Sequence, residues 1–294
     1  MKIAILSRGA QLYSTQSLIQ AGLKRGYDMH IVDHTRCSLI LDEERSRILY
    51  DGYRLDPFDA VIPRIGASVT SVGASVISQF ENMGVFVAST AEALLQARDK
   101  LRCLHRLAQH GMAIPKTVFV APGQNLNAAV SGLGGLPVVV KLLAGTHGVG
   151  VILAETFRTV EATVEAFQRL NERVLLQEFI RESKGKDVRV LVVGGEVVAA
   201  MERQARPGEF RSNLHRGGSA RRVSLTPEEE AQAIQVASLM GLGIAGVDFL
   251  RSRRGLLTME VNASPGLEGI EAVTGLDVAG HILDYTARGA KAQR

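Results

Sequence analysis

The sequence predicts an α/β protein that opens on a small parallel sheet and continues into two α+β units. Three observations carry this. Short apolar runs alternate with helical stretches over the first 95 residues, which implies parallel strands joined by crossover helices. From about residue 115 the order becomes strand, Gly-rich loop, strand, helix, strand. Beyond about residue 186, two hairpin patterns flank a helix, and hairpins pair antiparallel. The units so implied span 1–95, 96–185 and 186–294 of the 294 residues.

Taken in order, Lys2–Leu6, Met29–Asp33, Ala60–Pro63 and Val85–Ala88 are the predicted strands of the first unit. A helix from Thr15 to Arg25 is closed by Gly26. Ser7-Arg8-Gly9 after the first strand carries a single glycine, which argues against a dinucleotide site there. Ser89-Thr90-Ala91-Glu92 fits a capping box. It opens a helical region whose stripe of Leu101, Leu104, Leu107 and Ala108 runs until Gly111. Strands follow at Val138–Leu142, Val149–Leu153 and Val174–Ile180, with a helix over Thr159–Leu170. Val188–Val193 and Glu196–Glu202 surround Gly194-Gly195, a hairpin turn pair. Thr226-Pro227-Glu228-Glu229 caps a helix with proline at its first position, and Gly241 ends it.

With 46% hydrophobic and 22% charged residues, the composition is that of an ordinary soluble globular chain. No apolar run approaches the roughly 20 residues of a membrane span. The apolar start of MKIAILSRG is too short for a signal peptide. Cys37 and Cys103 are the only cysteines, so neither a disulfide framework nor a thiolate metal cluster is expected, and the cytoplasm is the default location. The net charge of +4 is mildly basic. Arginines gather at Arg203, Arg206, Arg211, Arg216, Arg221 and Arg222 without aromatic RNA-binding motifs or any tryptophan. That pattern suits phosphates or carboxylates better than sequence-specific nucleic acid.

The segment VDFLRSRRGLLTMEVNASPG, over 247–266, carries the most chemistry. It reads as two strands around a polar turn. Glu260 and Asn262 share one face by alternation, while Met259 and Val261 are assigned to the core. A hairpin centred near Arg254 sets Asp248 opposite Glu260. Two carboxylates and a carboxamide are hard oxygen donors that suit Mg2+ or Mn2+, ions that share their coordination with phosphates and water. Lys141 ends a strand and is followed by Gly145-Thr146-His147-Gly148-Val149-Gly150. Backbone N–H groups of such a loop approach phosphates closely, and a lysine adds mobile positive charge. Lys100 is within reach of the same phosphates. The strand ending Gln177-Glu178-Phe179-Ile180 offers backbone groups to an adenine ring, and Asp187 a carboxylate to a ribose hydroxyl. Arginines of the stretch Arg211-Ser212-Asn213-Leu214-His215-Arg216 suit bidentate capture of a phosphoryl group or carboxylate. His215 reads as a hydrogen-bonding loop residue.

In this order the residues resemble the ATP-grasp carboxylate–amine ligases. ARDKL at 97–101, FDAVIPRIG at 58–66, EFRSNLHRGG at 209–218 and MEVNASPGLEGIE at 259–271 are similar to the RimK family within them. The resemblance runs from the first strand to about residue 285; GAQLYS after that strand and the short tail after Ala287 depart from it. It implies an ATP-grasp fold preceded by a parallel-sheet α/β domain. It also implies that Lys100 and Lys141 contact phosphates, that Gly148 and Gly150 close over them, and that Glu178 and Phe179 meet adenine. Asp187 would hold the ribose, while Arg211, Ser212 and Asn213 would contact the nucleotide. Arg203 and Arg211 would serve the acyl phosphate, and Asp248, Glu260 and Asn262 would hold two Mg2+ or Mn2+ ions with Glu260 between them. The implied activity is ATP-dependent addition of L-glutamate to the C-terminal tail of the sixth small-subunit ribosomal protein, by a homo-oligomer. Two other readings fit the same motifs: a ligase of this fold for a small-molecule acid, and a nucleotide-binding regulator without turnover.

Overall fold

The computed structural model describes residues 1–43, 46–143, 150–212 and 217–293. The chain begins with β1 (Lys2–Leu6), α1 (Tyr13–Lys24) and β2 (Asp28–Val32). A small antiparallel sheet of β3 (Cys37–Ile40), β4 (Arg47–Tyr50) and β5 (Tyr53–Arg54) follows. β6 (Ala60–Pro63), α2 (Thr70–Asn82) and β7 (Phe86–Val87) complete the unit. Strands β1, β2, β6 and β7 form the parallel sheet that the sequence predicts, in the order β2-β1-β6-β7. Ile3 and Ile5 face one core with Leu18 of α1, while Ala4 and Leu6 face the other with Ile77 and Phe80 of α2. Burial on both faces is why β1 reads as a continuous apolar run. The β3–β5 sheet was not predicted; Gln79 of α2 holds it, its side-chain amide Nε2 donating to Ile40 O (3.0 Å) and Arg47 O (3.2 Å).

The predicted single helical region after residue 90 is two helices, α3 (Ala91–Arg98) and α4 (Lys100–Gln109). Thr90 caps the first by accepting from Ala93 N, one residue later than the capping box placed it. Asp99 adopts an extended backbone and accepts from the amides of Leu101 and Arg102, so it ends one helix and caps the next. The break turns Arg98 and Lys100 towards the centre of the molecule.

The central unit comprises β8 (Thr117–Val120), α5 (Leu126–Gly132), β9 (Val138–Leu142), β10 (Val151–Ala154), α6 (Phe157–Arg169) and β11 (Val174–Glu178). Its antiparallel sheet, ordered β10-β9-β11-β8, has a separate core that includes Val138, Val140, Val160 and Leu176.

The last unit holds β12 (Lys186–Val193), β13 (Glu196–Gln204), β14 (Ser219–Arg222), α7 (Pro227–Leu239), β15 (Ile244–Ser252), β16 (Gly255–Asn262), α8 (Glu268–Thr274) and α9 (Val278–Ala292). Its sheet runs β14-β13-β12-β15-β16. Gly194 and Gly195 have φ of 61° and 83°, as a two-residue hairpin turn requires. Thr226 and Glu229 form a complete capping box. Val190, Val247 and Phe249 of this sheet share a core with Ala93 and Leu94 of α3. Helix α9 returns to α1, where Arg25 bonds Asp284 at 2.8 Å. The first and last units are therefore packed together, and that packing sets β16 beside the α3–α4 junction.

Both cysteines are free, and burial pushes Cys37 up to about 11 and Cys103 up to about 12, so both are unreactive thiols. Among the described residues no helix is long and apolar enough to cross a membrane.

Candidate active site

The site is built on one face of the last sheet, and strand register decides its contents. Asp248 lies opposite Glu260, as the hairpin reading expects. The turn, however, is centred between Arg253 and Arg254, because Ser252 pairs with Gly255 and Phe249 with Thr258. A regular ladder continued from there would set Met259 opposite Asp248. A bulge between Asp248 and Phe249 absorbs one residue and restores Asp248 to Glu260, Val247 to Val261 and Gly246 to Asn262. Met259 is consequently half-exposed instead of a core residue, a correction to simple alternation, whereas Val261 is buried.

The same face continues across β12 and β13. Arg189 lies opposite Asp248, and Arg203 opposite Asp187. Arg189 bonds Asp248 bidentately at 2.7 and 2.6 Å. Arg203 bonds Asp187 bidentately at 2.6 Å and reaches Asp248 Oδ2 at 2.9 Å. Asp248 is 1% exposed and Asp187 3%, so this is a buried ionic network whose members depend on one another. Burial acts against the Asp248 charge, but Arg189 and Arg203 outweigh it and hold the carboxyl below its usual range. Opposing burial in the same way, Asp248 and Asp187 raise the Arg203 guanidinium above its ordinary value.

The donor set fits a hard divalent cation. Asp248, Glu260 and Asn262 offer two carboxylates and a carboxamide on adjacent strands. Asn262 Nδ2 lies 3.4 Å from Asp248 Oδ2, so the two side chains converge. Asp248 Oδ2 is crowded by Arg189, Arg203 and Asn262, while Oδ1 accepts only from Arg189 and keeps acceptor capacity.

Basic side chains face this acidic edge. Lys141, on β9, donates to Gln177 Oε1 of β11 at 2.6 Å. Burial, opposed by Glu260 and aided by Lys100, pushes Lys141 down to about 8. Burial also lowers Lys100, again against the pull of Glu260; its Nζ donates to Leu143 O at 3.2 Å. Such a group of partly desolvated cations gains charge stabilisation when a polyanion arrives. Gly150 is positioned as expected at the foot of the loop, with φ of 71° and a position where a Cβ would strike Leu142. Gly148 and Asn213 lie outside the described residues.

Other expected nucleotide contacts are engaged within the protein. The Glu178 amide donates to Lys116 O at 2.9 Å, and its carboxylate accepts from Lys116 N and Arg254. Phe179 packs edge-on to Phe210, with 6.5 Å between centroids. Asp187 carries Arg203 and accepts the Ser212 hydroxyl, so both its oxygens are occupied. Arg211 is bidentate to Glu209 at 2.9 and 2.7 Å and reaches Val151 O of the central unit at 3.4 Å. Arg211 in turn holds Glu209 at about 2. The arginine stretch is thus not one basic track: Arg203 is buried, Arg211 pairs with Glu209, and Arg221 pairs with Glu202.

Arg189 is a residue of this face that the sequence reading did not single out, and it was recoverable, since it lies two positions from Asp187 on one strand and must share its face. Gln177, Arg64 and Arg98 stood inside quoted stretches, the 177–180 strand end, FDAVIPRIG and ARDKL, but were given no individual role.

Comparison with known proteins bears on the family and the fold. Residues 1–94 match the RimK PreATP-grasp domain family and residues 97–286 the RimK-like ATP-grasp domain family. The chain is 53% identical over 294 residues to a probable alpha-L-glutamate ligase of Teredinibacter turnerae, covering 100% of this chain and 98% of that protein. A probable alpha-L-glutamate ligase of Picosynechococcus sp. is 51% identical over 290 residues, covering 99% and 96%. Among solved structures, the RimK domain protein ATP-grasp from Sphaerobacter thermophilus superposes with a TM-score of 0.73 at 23% identity, covering 98% of this chain and all of that one. The ATP-grasp ligase PsnB with minimal precursor, Mg and ADP gives 0.76 at 20% identity, covering 99% and 98%.

Proposed function

The chain belongs to the RimK family of ATP-grasp ligases, and from that membership we propose that it adds L-glutamate by peptide bonds to a C-terminal carboxylate. The acceptor we assign is the tail of the sixth small-subunit ribosomal protein, in the cytoplasm. The observation that carries this reading is the facing of Asp248, Glu260 and Asn262 by the buried, charge-depressed Lys100 and Lys141.

A carboxylate is a poor electrophile, so the acceptor is first phosphorylated by ATP, releasing ADP. The glutamate amine then attacks the acyl phosphate, and inorganic phosphate leaves from the tetrahedral intermediate. Lys100 and Lys141 would hold the phosphates, and Asp248, Glu260 and Asn262 would hold the divalent cation, Mg2+ or Mn2+, with two ions as the number we assign. When bound, the metal neutralises phosphate charge and aligns donor with acceptor. Glu178 and Phe179 border the adenine, and Gly148 and Gly150 cover the phosphates. Asp187 and Ser212 line the ribose side, with Asn213 beside the phosphates. Arg203 holds Asp187 and Asp248 in place through its hydrogen bonds to both. Arg211 exchanges Glu209 for the transferring phosphoryl group, which its planar fork suits.

The test is mass spectrometry of a peptide ending in the ribosomal protein's C-terminal sequence after incubation with enzyme, ATP, Mg2+ and glutamate. Increments of one glutamyl unit, with one ADP released per increment, are expected. No increment, with strong ADP release on a small-molecule acid instead, would refute the acceptor assignment.

A further inference from the structure

A cavity of about 580 Å³ lies where the three units meet, beside Glu260 and Asn262. Thr70 of the first unit, Arg98 and Lys100 of the α3–α4 junction and Glu172 of the central unit form its walls. Arg98 is the unusual member. One of its Nη atoms donates to Ile65 O at 2.5 Å, while its Nε is buried without a hydrogen-bond partner among the described residues. Behind it, Arg64 donates to Pro265 O at 2.7 Å. Among the described residues neither arginine forms an ion pair, whereas the rim residues Arg102 and Arg173 both have Asp99 at 3.9 Å. Burial lowers Arg98 against the pull of Glu260, and burial together with the neighbouring Arg98 takes Arg64 down to about 10.

Two adjacent guanidinium groups withdrawn from water with no carboxylate in ion-pair contact among the described residues are costly, since buried charges in proteins are normally paired. Lys100 and Lys141 already face the phosphate position, and the acceptor carboxylate must lie at the metal edge to meet the γ-phosphoryl group. The remaining anion in the reaction is the amino-acid nucleophile, which carries its carboxylates into the site and must present its amine towards Glu260. We propose that Arg98, backed by Arg64, binds the side-chain carboxylate of the incoming amino acid in this cavity and thereby selects an acidic nucleophile. The proposal rests on the glutamate-ligase reading. It adds a pocket and a specificity residue to it.

The test is steady-state kinetics of ADP release for the full chain and its Arg98→Gln and Arg98→Lys variants, with glutamate and glutamine as nucleophiles. Arg98→Gln is expected to raise KM for glutamate at least about 10-fold, the scale of losing a charge-assisted hydrogen bond. KM for ATP should stay within about 2-fold, because Arg98 is not assigned to the nucleotide, and the preference for glutamate over glutamine should shrink. Arg98→Lys keeps the charge but loses the fork, so a smaller rise in glutamate KM is expected, and it serves as the readout if Arg98→Gln fails to fold. An unchanged glutamate KM in a folded variant, or equal rises for ATP and glutamate, would overturn the pocket while leaving the function standing. Absence of glutamate-dependent ADP release in the unmodified enzyme would overturn the function and the pocket together.

Discussion

Lys141 makes nucleotide binding depend on pH in a direction that the structure fixes. Its ammonium titrates at about 8 in the ligand-free protein, against an ordinary 10.5. Polyphosphate placed against it favours the charged form and returns the pKa towards or above the ordinary value. The bound state then holds more protons than the free state, so affinity is unaffected by this group well below pH 8 and falls as pH rises through it. If the bound pKa recovers fully to 10.5, the linkage is about 3 kcal/mol, a roughly 300-fold loss of affinity from well below pH 8 to well above pH 10.5. Proton uptake on binding is expected to be about 0.1 at pH 7, about 0.5 at pH 8 and about 0.9 at pH 9. Lys100, also lowered by burial, acts in the same direction. The assay is calorimetry with a non-hydrolysable ATP analogue and Mg2+, in buffer pairs of different ionisation enthalpy, for the wild type and Lys141→Met. The variant should bind more weakly at pH 7 and lose most of the proton uptake at pH 9. Equal uptake in both proteins, or none in the wild type, would refute the assignment of Lys141 to the phosphates.

Other outcomes follow from named contacts. Glu260→Ala should leave the circular dichroism spectrum unchanged and reduce ADP formation at least about 100-fold, the scale of losing one group that stabilises transition-state charge; turnover at the wild-type rate would sink the metal assignment. Arg203→Met leaves Asp187 and Asp248 buried with one cation fewer, so denaturant unfolding should show a loss of about 3–5 kcal/mol. Gly243→Ala puts a Cβ 2.2 Å from both Ala88 O and Tyr285 Oη at the junction of the first and last units. Because a backbone oxygen cannot rotate away, the melting temperature should drop by at least about 4 °C.

What the sequence determined by itself was local. Period-two alternation assigned Glu260 and Asn262 to one face, and glycine and cap signals located Gly194-Gly195 and the Thr226–Glu229 box, because these depend only on near neighbours along the chain. Lys141 was legible because it ends an apolar strand before a run of glycines. The tertiary structure decided the rest. The Asp248–Glu260 pair exists through a bulge at Met259 that no alternation pattern announces, since a bulge answers to the packing of both sheet faces. Asp187 and Arg203 were each noticed singly, yet the register between β12 and β13 is what joins them into one buried pair. The β3–β5 sheet and the break at Asp99 escaped because short strands and a one-residue cap leave little periodicity. Arg98 lies more than 150 residues from Glu260 in the chain, and only the packing of the first unit on the last brings its charge to it. Periodicity encodes which face a side chain takes, whereas the partner on that face is set by long-range register and domain packing, which no local window contains.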